Sequence, residues 1–376
     1  MGALLVTLLL GGSERWLHAT PEPSPVARGG AVVAYDEARD VVVIYGGASG
    51  GMLVNEVWEH DGSRWQVSPA VNPSARAYGG MAFDPGLEKV VMFGGWYIDP
   101  GATTATVLSD TWAFDGDVWQ QLASGGPVPR ELFALAYDRD RERLLLFGGF
   151  GVSTPSTPTG ELGDTWTFDG SSWTSIYVTG PAARVGAAMA FDEAQGEMVL
   201  FGGYSGIEYF ADTWAFDGAA WRQRSSEPAP PARAHHSMVY DPERARVILH
   251  GGQYRFMSGD KPQHADLGDV WEWDGDRWEE TTPDQGPAAR RFASLAFDRG
   301  RRRALLYGGV TDATPLGDTW EYLKQRSHLS CAATGDGMPF AALAVLGLLR
   351  RAARRADATP ARESKQVQRL SARDPE

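Results

Sequence analysis

Residues 184–203 read RVGAAMAFDEAQGEMVLFGG, and residues 212–221 read DTWAFDGAAW. The first stretch alternates small and apolar residues, turns at Asp192, and then runs apolar without a break into Gly202-Gly203. Short alternation is a strand pattern, and a continuous apolar run of about six residues suits a strand covered on both faces. Asp217-Gly218, set between two tryptophans, reads as a tight reversal joining a third strand to a fourth. The unit predicts four short antiparallel strands.

Working outward, the unit recurs. Six copies open on Arg28, Arg76, Arg130, Arg184, Arg233 and Arg290. Eight residues after each Arg comes an Asp preceded by an aromatic, and eighteen after it a Gly pair, beginning at Gly46, Gly94, Gly148, Gly202, Gly251 and Gly308. A third-strand Trp follows in every copy, and in five of them a second Trp stands seven residues further on. A period of roughly 50 residues marks a propeller or solenoid array. The sixth copy stops after Trp320 without its fourth strand, whereas Trp16 precedes Arg28 by twelve residues, the spacing of Trp221 to Arg233. The expectation is an all-β, six-bladed β-propeller of four-stranded antiparallel blades over residues 14–326. The N-terminal strand around Trp16 would close the ring and remove the exposed sheet edges of an open array.

The apolar runs ending in Gly-Gly, each followed by a spaced pair of aromatics, resemble the kelch repeat over nearly all of residues 16–322. Trp stands here where the family usually has Tyr. The resemblance implies a binding propeller. In kelch domains that take acidic peptides, an Arg at the start of the innermost strand contributes to the site. It thus makes the six repeat Arg a candidate channel-mouth ring for a carboxylate or acidic sugar. An Arg in every copy is better read as structural, pairing with an Asp or with carbonyls of the neighbouring blade. The family also includes a copper oxidase that needs a Tyr–Cys crosslink; Cys331, the only cysteine, lies outside the repeats, so no cofactor is expected. A six-bladed kelch mutarotase is known, which makes a sugar-acting enzyme the alternative, with Glu208, Asp260 and His264 as the groups to test.

Charge and the chain ends narrow the setting. A net charge of −13 with no basic stripe across the repeats argues against nucleic acid. Residues 1–13, with an apolar run before Gly11, read as a possible truncated signal segment or an extra strand. Residues 327–376 carry Cys331, the apolar run MPFAALAVLGLL (338–349) and then Arg350, Arg351, Arg354 and Arg355, an order resembling the sorting tails of myxobacterial surface proteins. Twelve apolar residues are short of the ~20 that span a bilayer. Display at a bacterial surface, with possible membrane anchoring by the tail, follows as an expectation, and an envelope protein or polysaccharide as the partner.

Strand order places the Asp turns and Asp-Gly turns on one face and the remaining loops on the other. From the second Gly to the third-strand Trp the chain takes eleven residues in three copies, seventeen in two and nineteen in the fifth. Length variation on a rigid scaffold is where binding residues collect. Copy two offers Trp96, Tyr97 and Asp99; copy four Tyr204, Glu208 and Tyr209; copy five Tyr254, Arg255, Asp260 and His264. Aromatics beside carboxylates suit sugar rings and equally suit a protein hot spot. His60, His235, His236 and His250 read as structural, and no His pair stands at metal-ligand spacing with a carboxylate. The expected function is a non-enzymatic binding propeller exported to the envelope and recognising a glycan or protein through its variable-loop face.

Overall fold

The computed structural model describes residues 14–324, apart from 100, 101, 103, 123, 124, 153–158 and 260, all within the compact unit Met1–Arg326. The possible signal segment, the sorting-like tail and Asp260 lie outside the described residues. Blade 1 is built from Val32–Asp36, Val41–Tyr45, Val57–His60 and Trp65–Val67, hydrogen-bonded in that order. Five more sheets repeat that order, and the first strands of neighbouring blades meet around the axis. Blade 6 is completed from the other end of the chain. Glu14–Ala19 pairs antiparallel with Thr319–Lys324, with Trp16 opposite Tyr322, so the ring closes as the repeat spacing predicts.

Two side-chain stitches join successive blades. The aromatic before each Gly pair meets the fourth-strand Trp of the next blade, as in Phe93–Trp173, Phe147–Trp221 and Phe201–Trp278, with ring centroids 4.9–5.4 Å apart. His250–Trp16 occupies the same place at the closing seam, at 5.1 Å. That Trp also donates its indole N–H to a Thr hydroxyl of the preceding blade: Trp173 to Thr111, Trp221 to Thr165, Trp278 to Thr213 and Trp65 to Thr319. Buried aromatic pairs of this kind dominate packing energetics.

The Gly pair has a steric cause. A Cβ on Gly46 would lie 2.3 Å from the backbone carbonyl of Arg76 in the next blade, and on Gly202 2.6 Å from that of Arg233. Both residues also hold positive φ. The second Gly then donates its N–H to the same carbonyl, as Gly47 does to Arg76 at 2.8 Å.

The repeat Arg side chains stay inside their own blades. Each guanidinium is 0–1% exposed and donates to the carbonyl of its own blade's first Gly, as Arg76 to Gly94 and Arg290 to Gly308. Five of them grip an Asp of the same blade: Arg76–Asp110, Arg130–Asp164, Arg184–Asp212, Arg233–Asp269 and Arg290–Asp318, at 2.6–2.7 Å. Arg28 uses Glu56. The acid also accepts the indole N–H of the third-strand Trp, as Asp110 does from Trp112. The reading that places these partners in the neighbouring blade is therefore corrected, as is the notion of an Arg ring open to the channel. The links between blades come from the Arg backbone, as where the Arg130 N–H donates to Leu108 and the Arg130 carbonyl accepts from Gly95 of the preceding blade; planar guanidinium, carboxylate and indole complete one another locally.

The first strands enclose an axial cavity of about 350 Å³. Its Asp-turn end is lined by Glu37, Arg139, Glu193 and Arg299, each directly following a blade Asp. Arg139 pairs with both Glu37 and Glu193, and Arg299 pairs with the same two carboxylates. Pro85 and Pro242 hold the two remaining positions. The four charges form one closed circuit.

Candidate functional site at the variable-loop end

Two residues after each blade Arg the backbone turns left-handed: Gly30 (φ 67°), Tyr78 (59°), Leu132 (55°), Gly186 (66°), His235 (60°) and Phe292 (56°). Their N–H groups donate head to tail to the carbonyls of the same position in the preceding blade, at 2.7–2.9 Å, so six hydrogen bonds run in a ring about the axis. Glycine adopts this conformation freely, whereas a side chain there costs on the order of 1–2 kcal/mol. Four bulky residues nevertheless occupy it, and strain of this kind collects at functional sites. The two glycines make room for them: a Cβ on Gly30 would lie 2.4 Å from the Tyr78 ring, and on Gly186 2.6 Å from His235.

These rings join the loop aromatics into one arc. Trp96 stacks near Tyr78 (6.2 Å), Tyr78 meets Phe292 (4.9 Å) and Phe292 meets His235 (4.2 Å). His235 meets Tyr204 (5.5 Å), Tyr204 stacks on Tyr209 (5.3 Å, 17° between planes), and Tyr209 approaches His264 (6.1 Å). Seven rings thus run from the blade 2 hairpin, past the axial mouth, to the blade 5 hairpin. Polar groups fringe the far half. Gln253 donates to the Tyr209 hydroxyl at 2.9 Å, which also lies 3.4 Å from His264 Nδ1. Arg255 donates to the Ile207 carbonyl, and Arg291 pairs with Asp266 at 2.6 Å.

Of the residues singled out from sequence, Trp96, Tyr204, Tyr209 and His264 are in the arc. Arg255 ties the blade 4 and blade 5 hairpins together, and Glu208 sits exposed on the former. Tyr97 turns to Asp99, and Tyr254 pairs with Phe256 instead. Glu208 and His264, proposed from sequence as channel-mouth catalytic groups, are both on exposed hairpins.

Sequence reasoning missed Tyr78, Phe292 and Glu131, and treated His235 as structural only. Glu131 follows the buried Arg130 and precedes Leu132 of the axial ring, paired on the blade 3 sheet opposite Phe150. It is half-buried, has no hydrogen bond or ion pair, and its charge is felt at both Tyr78 and Tyr204. Burial pushes its carboxyl up to about 7. The clamp acids behave oppositely: burial alone would raise them, but the Arg hydrogen bond and charge outweigh it and hold Asp110, Asp164, Asp269 and Asp318 below the usual range.

The histidines are kept neutral by burial. His235 falls to about 3 and His60 and His250 to about 4, while His236 is pushed well below the ordinary value. His250 is only half-satisfied: its Nδ1 lies 3.2 Å from the Asp269 carbonyl and its Nε2 has no partner. Among the described residues no three His, Cys, Asp or Glu are grouped so as to hold a metal ion.

No family model matches the chain. It is 27% identical over 254 residues to Kelch domain-containing protein 10 of Bos taurus and of Homo sapiens, covering 62% of this chain and 55% of each relative. The Xenopus tropicalis protein of that name is 27% identical over 225 residues. The chain thus spans about half the length of the curated relatives it matches. Among solved structures, that of YjhT superposes with a TM-score of 0.64 at 16% identity, covering 80% of this chain and 95% of that one. At that identity the likeness speaks for the fold. The repeats, the closed ring of four-stranded blades and these relatives agree: the chain is a six-bladed propeller of kelch type.

Proposed function

We propose that this propeller is a non-enzymatic binding module that recognises a glycan across its variable-loop face, in the setting of the bacterial envelope. The observation that carries the reading is the seven-ring arc, which offers flat apolar faces in series with hydroxyl, amide and imidazole groups at its edge. Sugars present apolar ring faces and peripheral hydroxyls, and pockets that fix orientation with a few polar groups among aromatics match that chemistry. Export rests on the sequence of the chain ends, outside the described residues.

The test is retention of envelope polysaccharide on the immobilised full chain, compared with the Tyr78→Ala/Tyr204→Ala/Tyr209→Ala variant. Polysaccharide held by the first and lost from the second, with both folded by circular dichroism, supports the reading. Retention of one protein in place of polysaccharide replaces the glycan by a protein partner, and retention of neither overturns the binding function. Glu131, poised near neutrality at the mouth, is the one feature favouring turnover of free sugars instead; that reading requires the protein to accelerate anomer interconversion in a polarimeter.

A further inference from the structure

Glu131 departs from how this protein treats most of its buried acids; Asp84 and Asp192 lack an Arg but accept backbone N–H groups of their turns. Asp36, Asp138, Asp241 and Asp298 are buried yet each is engaged by an Arg three residues on. Glu56 and the clamp acids hold Arg, Glu37 and Glu193 share two, and Glu321 holds Arg303. Glu161, two strands across on the far side of Phe150, accepts the Gly206 N–H. Glu131 has no such partner, and Arg291, at the equivalent position of blade 6, one residue after its Arg, is taken by Asp266. Removing a carboxylate from water without a partner is unfavourable, so the location needs a reason.

The location is at the axial mouth, next to the ring of left-handed residues. Leu132, next in the chain, accepts from Gly186 and donates to Tyr78 in the axial ring. Glu131 thereby lies between the Tyr78 side of the mouth and the Tyr204 side, and its charge is felt at both rings. Beside it is a recess of about 130 Å³ lined by Tyr78, Leu132, Phe133, His235, His236 and Phe292. Two of its walls are histidines at least nine-tenths buried whose Nδ1 atoms have no partner. A half-buried carboxylate flanked by aromatic faces is a receptor for a protonated amine, which gains an ion pair and cation–π contact together.

We propose that the axial mouth is a subsite for the ammonium group of an unacetylated amino sugar, held by Glu131 between Tyr78 and Tyr204. The inference rests on the glycan reading and names the kind of sugar. An amine on a ring fits better than one on a lysine tail because the arc continues as stacked flat faces on both sides of the mouth.

The test is calorimetric titration of the full chain with the glucosamine tetramer and with its fully N-acetylated counterpart, repeated with Glu131→Gln. The wild type should prefer the free amine about tenfold, as loss of one charge-assisted contact implies. Glu131→Gln should bind both tetramers at the affinity the wild type shows for the acetylated one. Equal affinities in the wild type, or a preference that survives Glu131→Gln, overturn the ammonium subsite and leave the glycan reading standing. Failure to bind either tetramer, whether or not a lysine-bearing peptide binds through Glu131, overturns the amino-sugar subsite, and the polysaccharide-retention test decides the glycan reading separately.

Discussion

The two ends of the axial cavity are built from the same six-fold framework and treated in opposite ways. At the Asp-turn end the position after each blade Asp reads Glu, Pro, Arg, Glu, Pro, Arg around the ring, and all four charges are consumed by one another. At the other end the position two after each blade Arg reads Gly, Tyr, Leu, Gly, His, Phe, held at left-handed φ, with a partnerless carboxylate alongside. Neutralised charge needs no ligand to complete it, and left-handed residues occur at the Asp-turn end too, at Asp40, Glu88, Glu142, Ala245 and Arg302. What differs at the other mouth is the kind of side chain: aromatic rings lie open beside an acid whose charge nothing in the chain balances. On the proposed function, the contrast puts structure at one mouth and recognition at the other.

The largest expected effect comes from the layer shared by both ends. Asp110→Ala strands the Arg76 guanidinium and the Trp112 N–H around a missing acid. Leaving such a buried charge unpaired costs about 3–5 kcal/mol, read as a lowered midpoint in urea unfolding, with the folded fraction still binding normally. Unchanged stability with lost binding would move the clamps to the recognition side. The clamps also set the response to acid. Asp110 has a folded pKa below its unfolded value, so its contribution is full above about pH 4 and fades as pH falls below it.

A pair of substitutions probes the contrast itself, since it calls for opposite signs. Arg299→Gln leaves Glu37 and Glu193 sharing Arg139 alone, and should cost about 0.5–1 kcal/mol in a network this exposed. Glu131→Gln should do the reverse. Its carboxyl is raised in the folded state, so wild-type stability falls as pH rises from the unfolded value near 4.5 through about 7. The amide escapes that fall. At pH 8 the variant should be more stable by about 1 kcal/mol, after allowance for solvent screening of a half-buried group, and at pH 4 the same as wild type. Thermal unfolding at the two pH values checks both, and equal destabilisation by the two variants at pH 8 would dissolve the distinction between the mouths.

The architecture was legible because it is written as counts. Trp16 falls at the spacing of a fourth-strand Trp, so ring closure could be read before any contact was known. The Gly pair announced close backbone approach, though not that the approaching atom is the next blade's Arg carbonyl. The site was half legible. Variable loop length pointed to Trp96, Tyr204, Tyr209 and His264, but their connection runs through Tyr78, His235 and Phe292, which sit in the constant part of the repeat. There the variation is in side chain rather than length, and the telling pattern was a position that is Gly in two copies and bulky in four. Glu131 lay out of reach for another reason: lacking a partner is a property of three-dimensional surroundings, and its chain neighbours give no hint of it.

The smallest effect tests how strictly one blade repeats the next. Four fourth-strand tryptophans donate to a Thr of the preceding blade, but the blade 1 counterpart of those threonines is Val57, fully buried, and the Trp119 N–H that should find a hydroxyl there is buried without an acceptor. Val57→Thr should supply it and raise stability by about 0.5–1 kcal/mol, less than a full hydrogen bond because the new hydroxyl is itself desolvated. Thr213→Val should move the other way by about 1–2 kcal/mol, since it strands the Trp278 N–H at a buried position. In a Trp119→Phe background, which has no N–H to satisfy, the gain from Val57→Thr should vanish or turn to a loss. A gain that persists there would mean the hydroxyl acts by some route other than the inter-blade stitch, and the equivalence of the blades at this position would not hold.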